Sequence, residues 1–471
     1  MNRNRFHGFL LVAILLIPLL HHQVSAKELK VSSSSTHFVD ESGEPFLWLA
    51  DTAWELFHRL DREEVCRYLD NRLAKGFTVI QAVAIAEMDG LTDPNPYGEL
   101  PLIEGDPMRY NDAYFEHVDF VVAEANKRGL YIAMLPTWGD KVAAVYHYDR
   151  PIFDRESAFA YGRYLGERYA DSDIVWVLGG DRDLRSEAVQ EVWEAMAEGI
   201  RSGDDSGALM TFHPSGGKSS SEWFDAAEWI DFHGCQSGHA VRYDDVYRYC
   251  FESAALTVRR PFVNLEPAYE GIGVRFWLYR QFEPRGLLKE DYIAEDGRLI
   301  DSSLFEEGCF EAYDIRVAAY WTLLSGGAGY TYGNNAIWQF FEPYASYSVA
   351  SRDYWYDAMD SEGAHSISHL ASLFSRYKIG RFEPDQSLIC DSNPKGEFYI
   401  AAARGNDNSF AILYFAKSRE VEVDLAQLEI EGRYRWFNPR EGSFGEQVEF
   451  QPADRCIFMP PAVGDWVLVI E

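Results

Sequence analysis

The sequence has few basic residues for its size. In 471 residues, 43 Lys and Arg stand against 75 Asp and Glu, which gives a formal net charge of −32 at pH 7. Binding to nucleic acid or to an anionic membrane surface requires a basic face. The composition therefore argues against both partners. It places no limit on a neutral ligand, because a single pocket can differ from the average surface.

Cysteine is also scarce, and the six present form no recognisable pattern. No CxxC pair, HxH or HExxH spacing occurs, and no Gly-rich phosphate fingerprint follows a strand. We therefore expect no metal and no organic cofactor, and buried free thiols for most cysteines. Export would permit disulfides, and Cys390 with Cys456 is the one pair confined to the C-terminal part.

Long apolar runs are missing after the first residues of the chain. Arg3 and Arg5 precede an apolar stretch at 9–20 and small residues at 24–26, a pattern typical of a cleavable signal peptide, residues 1–26. The stretch is short for a membrane span, and no later segment supplies one. No cysteine lies at the cleavage point, so a lipid anchor is not indicated. The pattern predicts a periplasmic or secreted protein.

Strand-like and helix-like segments alternate from about residue 46 to residue 374. Eight such repeats predict a (β/α)8 barrel, whose catalytic groups lie at the C-terminal ends of the strands. Two long Gly- and Pro-punctuated insertions, 87–109 and 271–308, are expected to wall a cleft on that face. Short strand-like runs follow. We predict a barrel domain at 27–376 and a small antiparallel β-sandwich at 377–471.

Two short apolar runs stop abruptly at an acid, the first at Asp181 and the second at Glu266. Burying an unpaired carboxylate is costly, so an acid just beyond a core strand must face a cleft or a partner. Glycoside hydrolysis uses two such carboxyls, one as the proton donor and one as the nucleophile or base. The alternative is that either acid caps the following helix, which the adjacent Pro267 disfavours for Glu266.

Other polar and aromatic residues at predicted strand ends are candidates for substrate binding. They are Asp51, Trp54, Trp138, Asp140, Lys141, His213, Gln236, His239, Glu270 and Trp338. Asp51 could instead cap a helix, and Trp338 could be a core residue beneath the sandwich. His213, Gln236 and His239 could bind sugar hydroxyls or orient a carboxylate. Glu270 could bind substrate or raise the pKa of the catalytic acid by like-charge repulsion.

Seven motifs appear in a fixed order and together resemble the apiosidase-like glycoside hydrolases of family 140. They are residues 47–54, 136–141, 179–181, 211–214, 236–239, 264–270 and 329–333. The resemblance spans nearly the whole mature chain. It implies a (β/α)8 catalytic domain, a C-terminal sandwich named for collagen binding, and cleavage of apiosyl linkages in the pectin rhamnogalacturonan II. It also implies that Asp181 and Glu266 are the catalytic pair.

The placement of this pair after the fourth and seventh strands is similar to that in retaining barrel glycosidases. By that analogy Asp181 is the general acid/base and Glu266 the nucleophile. Two other classes remain open. One is a metal-dependent hydrolase with His213, His233, His239 and Asp181 as ligands, and the other is a secreted carbohydrate-binding protein without activity. We expect a monomer that acts on an oligosaccharide or polysaccharide.

Overall fold

The computed structural model describes residues 29–87, 89–147, 149–280 and 286–471. The predicted signal peptide, residues 1–26, lies outside this part. A parallel sheet forms the first domain, and its strands are β1 Trp48–Thr52, β2 Val79–Ile85, β3 Tyr131–Thr137, β4 Ile174–Gly179, β5 Met210–His213, β6 His233–Gln236, β7 Phe262–Asn264 and β8 Gly329–Tyr332.

The strands neighbour one another in the order β5-β4-β3-β2-β1-β8-β7-β6, and every pair in this order is parallel. Between β5 and β6 the barrel closes through hydrogen bonds outside the strand ladder. Thr211 Oγ1 donates to the Phe232 carbonyl at 2.6 Å, and the Asp231 N–H donates to the Met210 carbonyl at 2.8 Å. A two-residue strand, Lys218–Ser219, adds to β6 in the antiparallel sense. The predicted (β/α)8 barrel is confirmed.

In the part of the chain that the structure describes, seven helices of eight or more residues surround the barrel: α1 Arg62–Ala74, α2 Asp112–Lys127, α3 Arg155–Tyr169, α4 Glu187–Gly203, α5 Tyr247–Ala254, α6 Ala312–Leu324 and α7 Glu362–Arg376. Some of these helices begin with a capping box. Asp61 forms a capping box with Glu64 at α1, and Asp154 forms one with Ser157 at α3. None of the helices in the described residues is long and apolar enough to cross a membrane.

The remaining elements are short. Three short strands lie near the start of the barrel domain: Lys30–Val31, Phe38–Val39 and Pro45–Phe46. The short helices are Leu56–Arg59, Ser221–Phe224, Lys289–Tyr292 and Trp355–Ala358. The 3-10 turns are Ile103–Gly105, Gly139–Lys141, Phe276–Tyr279, Ser302–Leu304 and Gln386–Leu388. The two predicted insertions contain only such short turns in their described residues. They extend over the C-terminal ends of the strands.

An antiparallel domain follows α7. Its larger sheet contains Phe382–Pro384, Ile400–Gly405, Ala411–Phe415, Trp466–Ile470, Arg433–Asn438, Ser443–Phe444 and Val448–Glu449, and its smaller sheet pairs Val421–Asp424 with Arg455–Phe458. One face of the larger sheet packs on the smaller sheet through a buried cluster that includes Leu413, Val423 and Phe458. This agrees with the predicted sandwich. All six cysteines are free thiols, Cys390 and Cys456 included.

The other face of the larger sheet packs on α6 and α7. Tyr320 of α6 stacks on Tyr414, with ring centroids 4.5 Å apart and an interplanar angle of 9°. Arg316 of α6 forms a buried ion pair with Asp465, in which Nε lies 2.7 Å from Oδ2. Tyr414 also donates a hydrogen bond to this carboxylate at 3.1 Å. The two domains therefore share one continuous apolar core with a buried polar contact inside it.

Candidate active site

The end of β4 has an unusual backbone. Gly179, Gly180 and Asp181 have φ angles of 98°, 119° and 48°, in the region that favours glycine. A Cβ on Gly180 would lie 2.7 Å from the Trp138 ring, and one on Gly179 would lie 2.3 Å from the His213 carbonyl oxygen. Only glycines permit β4 to end in this way. The turn leaves the Asp181 side chain 40% exposed toward the cleft, and strain of this kind concentrates at functional sites.

Glu266 follows β7 and is held between two histidines from neighbouring strand ends. Its Oε1 accepts a hydrogen bond from His239 Nε2 at 3.1 Å, and its Oε2 lies 3.0 Å from His213 Nε2. Burial by itself would raise the pKa of this carboxyl. The contacts with His213 and His239 outweigh burial and hold the pKa of Glu266 below its ordinary value. Glu266 is therefore a charged carboxylate at neutral pH.

Asp181 has the opposite electrostatic environment. Burial and the negative charge of Glu266 raise the pKa of Asp181 above its ordinary value, against the attraction of Arg182 and the two histidines. Arg182 Nη1 lies 3.5 Å from Asp181 Oδ2, and its main partner is Asp149 at 2.9 Å. Two carboxyls in one cleft thus have pKa values displaced in opposite directions. This division is the usual mark of an acid and a nucleophile that act together.

Aromatic side chains line the cleft together with Asp181 and Glu266. Trp54 and Trp138 pack with ring centroids 5.1 Å apart. Trp54 Nε1 donates a hydrogen bond to the Tyr269 hydroxyl at 2.9 Å. Trp338 lies 6.4 Å from Tyr269, centroid to centroid. Aromatic faces suit the apolar faces of sugar rings, so these walls could hold a glycosyl unit above Glu266.

The cleft has a volume of about 910 Å³. That is near the upper end of the range for small-molecule sites, roughly 300–1,000 Å³, so it can hold more than one sugar unit. Seven of the predicted site residues line it: Trp54, Trp138, Asp181, Gln236, His239, Glu266 and Trp338. His213 is fully buried and supports the site through its contact with Glu266. These are eight of the twelve predicted residues.

Asp51 lies elsewhere, which corrects its prediction as a substrate ligand. It is fully buried at the end of β1, where Tyr68 donates to its Oδ2 at 2.6 Å and Arg72 Nε lies 3.4 Å away. Both partners belong to α1, so Asp51 points outward from the barrel and not into its mouth. It does not cap a helix either, since Glu55 occupies the N-cap of Leu56–Arg59.

Asp140 and Lys141 also lie outside the cleft and correct a second prediction. They pair with each other, Nζ to Oδ2 at 2.6 Å, and are 3% and 1% exposed. They belong to the turn Gly139–Lys141 and are not among the residues that line the cleft. Their charge pair is buried in the wall.

Glu270 is the third correction. Its carboxylate accepts hydrogen bonds from the Tyr332 hydroxyl at 2.6 Å and from the Gly363 N–H at 2.9 Å. Gly363 belongs to the first turn of α7, so Glu270 stabilises the N-terminus of that helix. It is buried behind the cleft and is not among the cleft residues. A role in binding substrate does not fit this position.

Several cleft residues were not predicted from the sequence. Glu87, Tyr146, Arg182, Tyr269 and Trp277 all line the cavity. Two of them lie next to recognised motif residues, Arg182 beside Asp181 and Tyr269 within residues 264–270, and could have been included on that ground. Glu87 and Trp277 lie in the two insertions, and Tyr146 lies in the loop between Gly139–Lys141 and α3. In such segments the sequence pattern does not indicate which side chains turn inward.

The ligand set considered for a metal-dependent hydrolase is not assembled. His213 and His239 both contact Glu266, whereas His233 lies apart, with Nδ1 3.1 Å from Ser220 Oγ and Nε2 3.5 Å from Asp225. Within the described residues, no group of three or more His, Cys, Asp and Glu side chains is placed to hold a metal ion.

Comparison with known proteins supports a glycosidase. Residues 32–380 match the model of the apiosidase-like catalytic domain, and residues 384–471 match the "putative collagen-binding domain of a collagenase". A crystal structure of a glycoside hydrolase family 5 protein from Bacteroides vulgatus is 29% identical. It has a TM-score of 0.80 over 95% of this chain and 93% of its own. No curated protein sequence matches the chain.

Two further solved structures are similar. One, described as a glycoside hydrolase, is 29% identical with a TM-score of 0.80, over 94% of this chain and 96% of its own. A family 27 β-L-arabinopyranosidase from Geobacillus stearothermophilus is 11% identical with a TM-score of 0.50, over 90% and 96%, and shows a shared fold alone. Because the family model covers most of the chain and the cleft carries the paired carboxyls, the protein belongs to the apiosidase-like glycoside hydrolases.

Proposed function

We propose that this protein is an exported glycosidase that cleaves an apiosyl linkage in plant cell-wall pectin, rhamnogalacturonan II, by a retaining mechanism. The observation that carries the proposal is the electrostatic division between Glu266, which His213 and His239 keep charged, and Asp181, whose pKa is raised. Membership of the apiosidase-like family supports apiose as the sugar whose linkage is cleaved. The aromatic walls and the volume of the cleft support an oligomeric substrate.

In the proposed mechanism Asp181 first acts as the acid. It gives its proton to the glycosidic oxygen while Glu266 attacks the anomeric carbon, so the leaving sugar departs as an alcohol and a covalent glycosyl–enzyme ester forms. Asp181, now a carboxylate, then takes a proton from water as that water attacks the anomeric carbon. The sugar is released with its original anomeric configuration, and both carboxyls return to their starting states.

A sugar-release screen tests the proposal. Purified protein is incubated with rhamnogalacturonan II, homogalacturonan, hemicelluloses and their oligosaccharides, and the products are separated by chromatography. We expect apiose from rhamnogalacturonan II. Release of another sugar would overturn the apiosyl assignment, and an absence of release from every pectic material would overturn the pectin assignment.

Two measurements test the chemistry itself. Proton NMR of the first product shows the anomer that is formed, and inversion would overturn the retaining mechanism. Treatment with a chelator separates this proposal from a metal-dependent hydrolase. We expect turnover to survive chelation, because two carboxyls suffice for acetal hydrolysis; loss of activity that a divalent ion restores would contradict this.

Export and a monomeric state belong to the same proposal. Processing after residue 26 and recovery from the periplasm or the medium would support export, and mass spectrometry of the N-terminus checks the cleavage point. Size-exclusion chromatography with light scattering checks the oligomeric state. A stable dimer would overturn the monomer.

A further inference from the structure

Glu87 is a carboxyl in the catalytic cleft that the mechanism above does not use. It follows β2, lines the cavity together with Asp181 and Glu266, and also borders a smaller cavity beside Glu55 and His58. Within the described residues its carboxylate takes part in no hydrogen bond and in no ion pair. A partly buried carboxyl normally has a hydrogen-bond partner. Glu87 has none in the described part of the chain and is open to the cleft, so a ligand bound there can be the partner.

Glu87 lies just beyond the C-terminal end of β2. It follows Ile85, the last residue of that strand, by two positions, and its side chain is among those that line the cleft. The Trp138 N–H donates to the Ile85 carbonyl at 3.3 Å, which ties the β2 end to the β3 end. Glu87 therefore lies in the cleft wall formed by Trp54, Trp138 and Trp338, beside the catalytic acid.

The charges around Glu87 determine its protonation. Burial and the negative charges of Asp140, Asp181 and Glu55 raise the pKa of Glu87 to about 8, although Arg182 opposes them. At neutral pH the group is a carboxylic acid with one donor and one carbonyl acceptor. A carboxylic acid can bind two neighbouring hydroxyls at once, accepting from one and donating to the other.

We propose that Glu87 is a specificity-determining residue that binds a pair of adjacent free hydroxyls on the glycosyl unit. The ligand class is an unsubstituted sugar with a vicinal diol; a deoxy or O-methylated sugar at the same position would lose one of the two hydrogen bonds. This inference rests on the proposed glycosidase function. The competing role for Glu87 is purely electrostatic: in its ionised form its charge would raise the pKa of Asp181 and keep that residue protonated.

Glu87→Gln and Glu87→Ala separate these roles. Glutamine keeps one donor and one acceptor but cannot ionise, and alanine removes both. Glu104→Gln is the matched control, because Glu104 lies on the same insertion with its side chain 78% exposed. On the glycoside found by the screen we expect Glu87→Ala to lower kcat/KM by about tenfold or more, chiefly through KM, because two substrate hydrogen bonds are lost. Glu87→Gln should retain most of the activity near neutral pH.

The alkaline limb of the pH–activity profile provides a second test of the proposal. Activity of the unmodified protein should fall as pH rises through the pKa of Glu87, and Glu87→Gln should remove that part of the fall, leaving only the contribution of Asp181. Equal kcat/KM for Glu87→Ala and the unmodified protein would overturn the proposal. So would a loss in kcat alone that both variants share, since that result indicates an effect on Asp181.

Tryptophan fluorescence makes the test independent of turnover. Trp54, Trp138 and Trp338 line the cleft with Glu87, and we expect a fluorescence transition near the pKa of Glu87 that Glu87→Gln abolishes. Free D-apiose and D-galacturonate are then titrated. If either sugar quenches the fluorescence and Glu87→Ala weakens that quenching, the result supports the binding role of Glu87. This holds even if the screen finds no turnover, because an absence of turnover would overturn only the proposed function. No binding of either sugar and no transition would overturn the inference.

Discussion

The backbone N–H of Tyr269 donates to Nδ1 of His239 at 3.4 Å. This contact fixes the tautomer of the histidine, because a nitrogen that accepts a hydrogen bond carries no proton. The proton then lies on Nε2, which donates to Glu266 Oε1 at 3.1 Å. Tyr269, three positions after Glu266, thereby orients the histidine that stabilises the charge of the proposed nucleophile.

Loss of either catalytic carboxyl should abolish most activity without unfolding the protein. We expect Asp181→Ala to lower kcat on natural substrate by about 10²- to 10⁴-fold, the usual contribution of general acid catalysis. Glu266→Ala should cost at least as much, since no covalent intermediate can form. Azide should rescue Asp181→Ala on a substrate with an activated leaving group and give a glycosyl azide of retained configuration. Near-normal turnover by either variant, with circular dichroism unchanged, would remove that residue from the mechanism.

Removal of His239 should move the acid limb of the pH profile. Glu266 must be ionised, so activity is lost as pH falls through its lowered pKa. Without His239 that pKa rises, and the loss should begin at a higher pH. His239→Gln keeps an N–H donor and should lie between His239→Ala and the unmodified protein. The kcat/KM profile measures this limb on the free enzyme, and an unchanged limb in His239→Ala would contradict the role assigned to the histidine.

Gly180→Ala should inactivate the protein. A Cβ at this position would lie 2.7 Å from the Trp138 ring, and the φ of 119° is unfavourable for alanine. Gly207→Ala is the matched control, because Gly207 also has a positive φ of 82° but no atom lies within 4 Å of an added Cβ. We expect about 1–2 kcal/mol of destabilisation from backbone strain in the control, with normal activity. Equal activity in the two variants would show that the clash is relieved.

Arg316→Ala should destabilise the whole protein. The change leaves Asp465 as a buried carboxylate without its main partner, and breaking a buried pair in this way costs about 3–5 kcal/mol. Arg376→Ala provides the comparison, since the Arg376–Glu471 pair is half exposed and such pairs contribute about 0–1 kcal/mol. Chemical denaturation followed by circular dichroism measures both. A loss below 1 kcal/mol for Arg316→Ala would show that Arg440 and Tyr414 satisfy Asp465 without it.

The barrel and its strand order could be predicted because each buried strand is a short apolar run between helices. The direction of a strand-end side chain was harder to predict. Trp48 and Ala50 lie in the interior cluster, so Asp51, one residue later in the alternation, points outward to Arg72. Attention to that alternation would have excluded Asp51. Glu87 lies two residues beyond β2, and Ile85 at the strand end already belongs to the outer cluster with Ile80 and Ala82, so alternation does not indicate the direction of Glu87.

Glu270 and Lys141 show a second limit. Both are charged residues within the motifs 136–141 and 264–270. The sequence does not distinguish a motif residue that faces the cleft from one that faces away from it. Their partners, the Gly363 N–H and the Asp140 carboxylate, turn them away from the cavity. Only the tertiary structure brings Gly363 next to Glu270, ninety-three positions earlier in the chain.

The Tyr320–Tyr414 stack limits how this protein can be cut and fused. In a catalytic fragment that ends after α7, the outer surfaces of α6 and α7 would be exposed to solvent, because the larger sheet that packs on Tyr320 and Arg316 would be missing. Such a fragment would precipitate or need redesign of that surface before use. The turn between Ser443–Phe444 and Val448–Glu449, at the far edge of the larger sheet, offers an insertion point that leaves the covering intact.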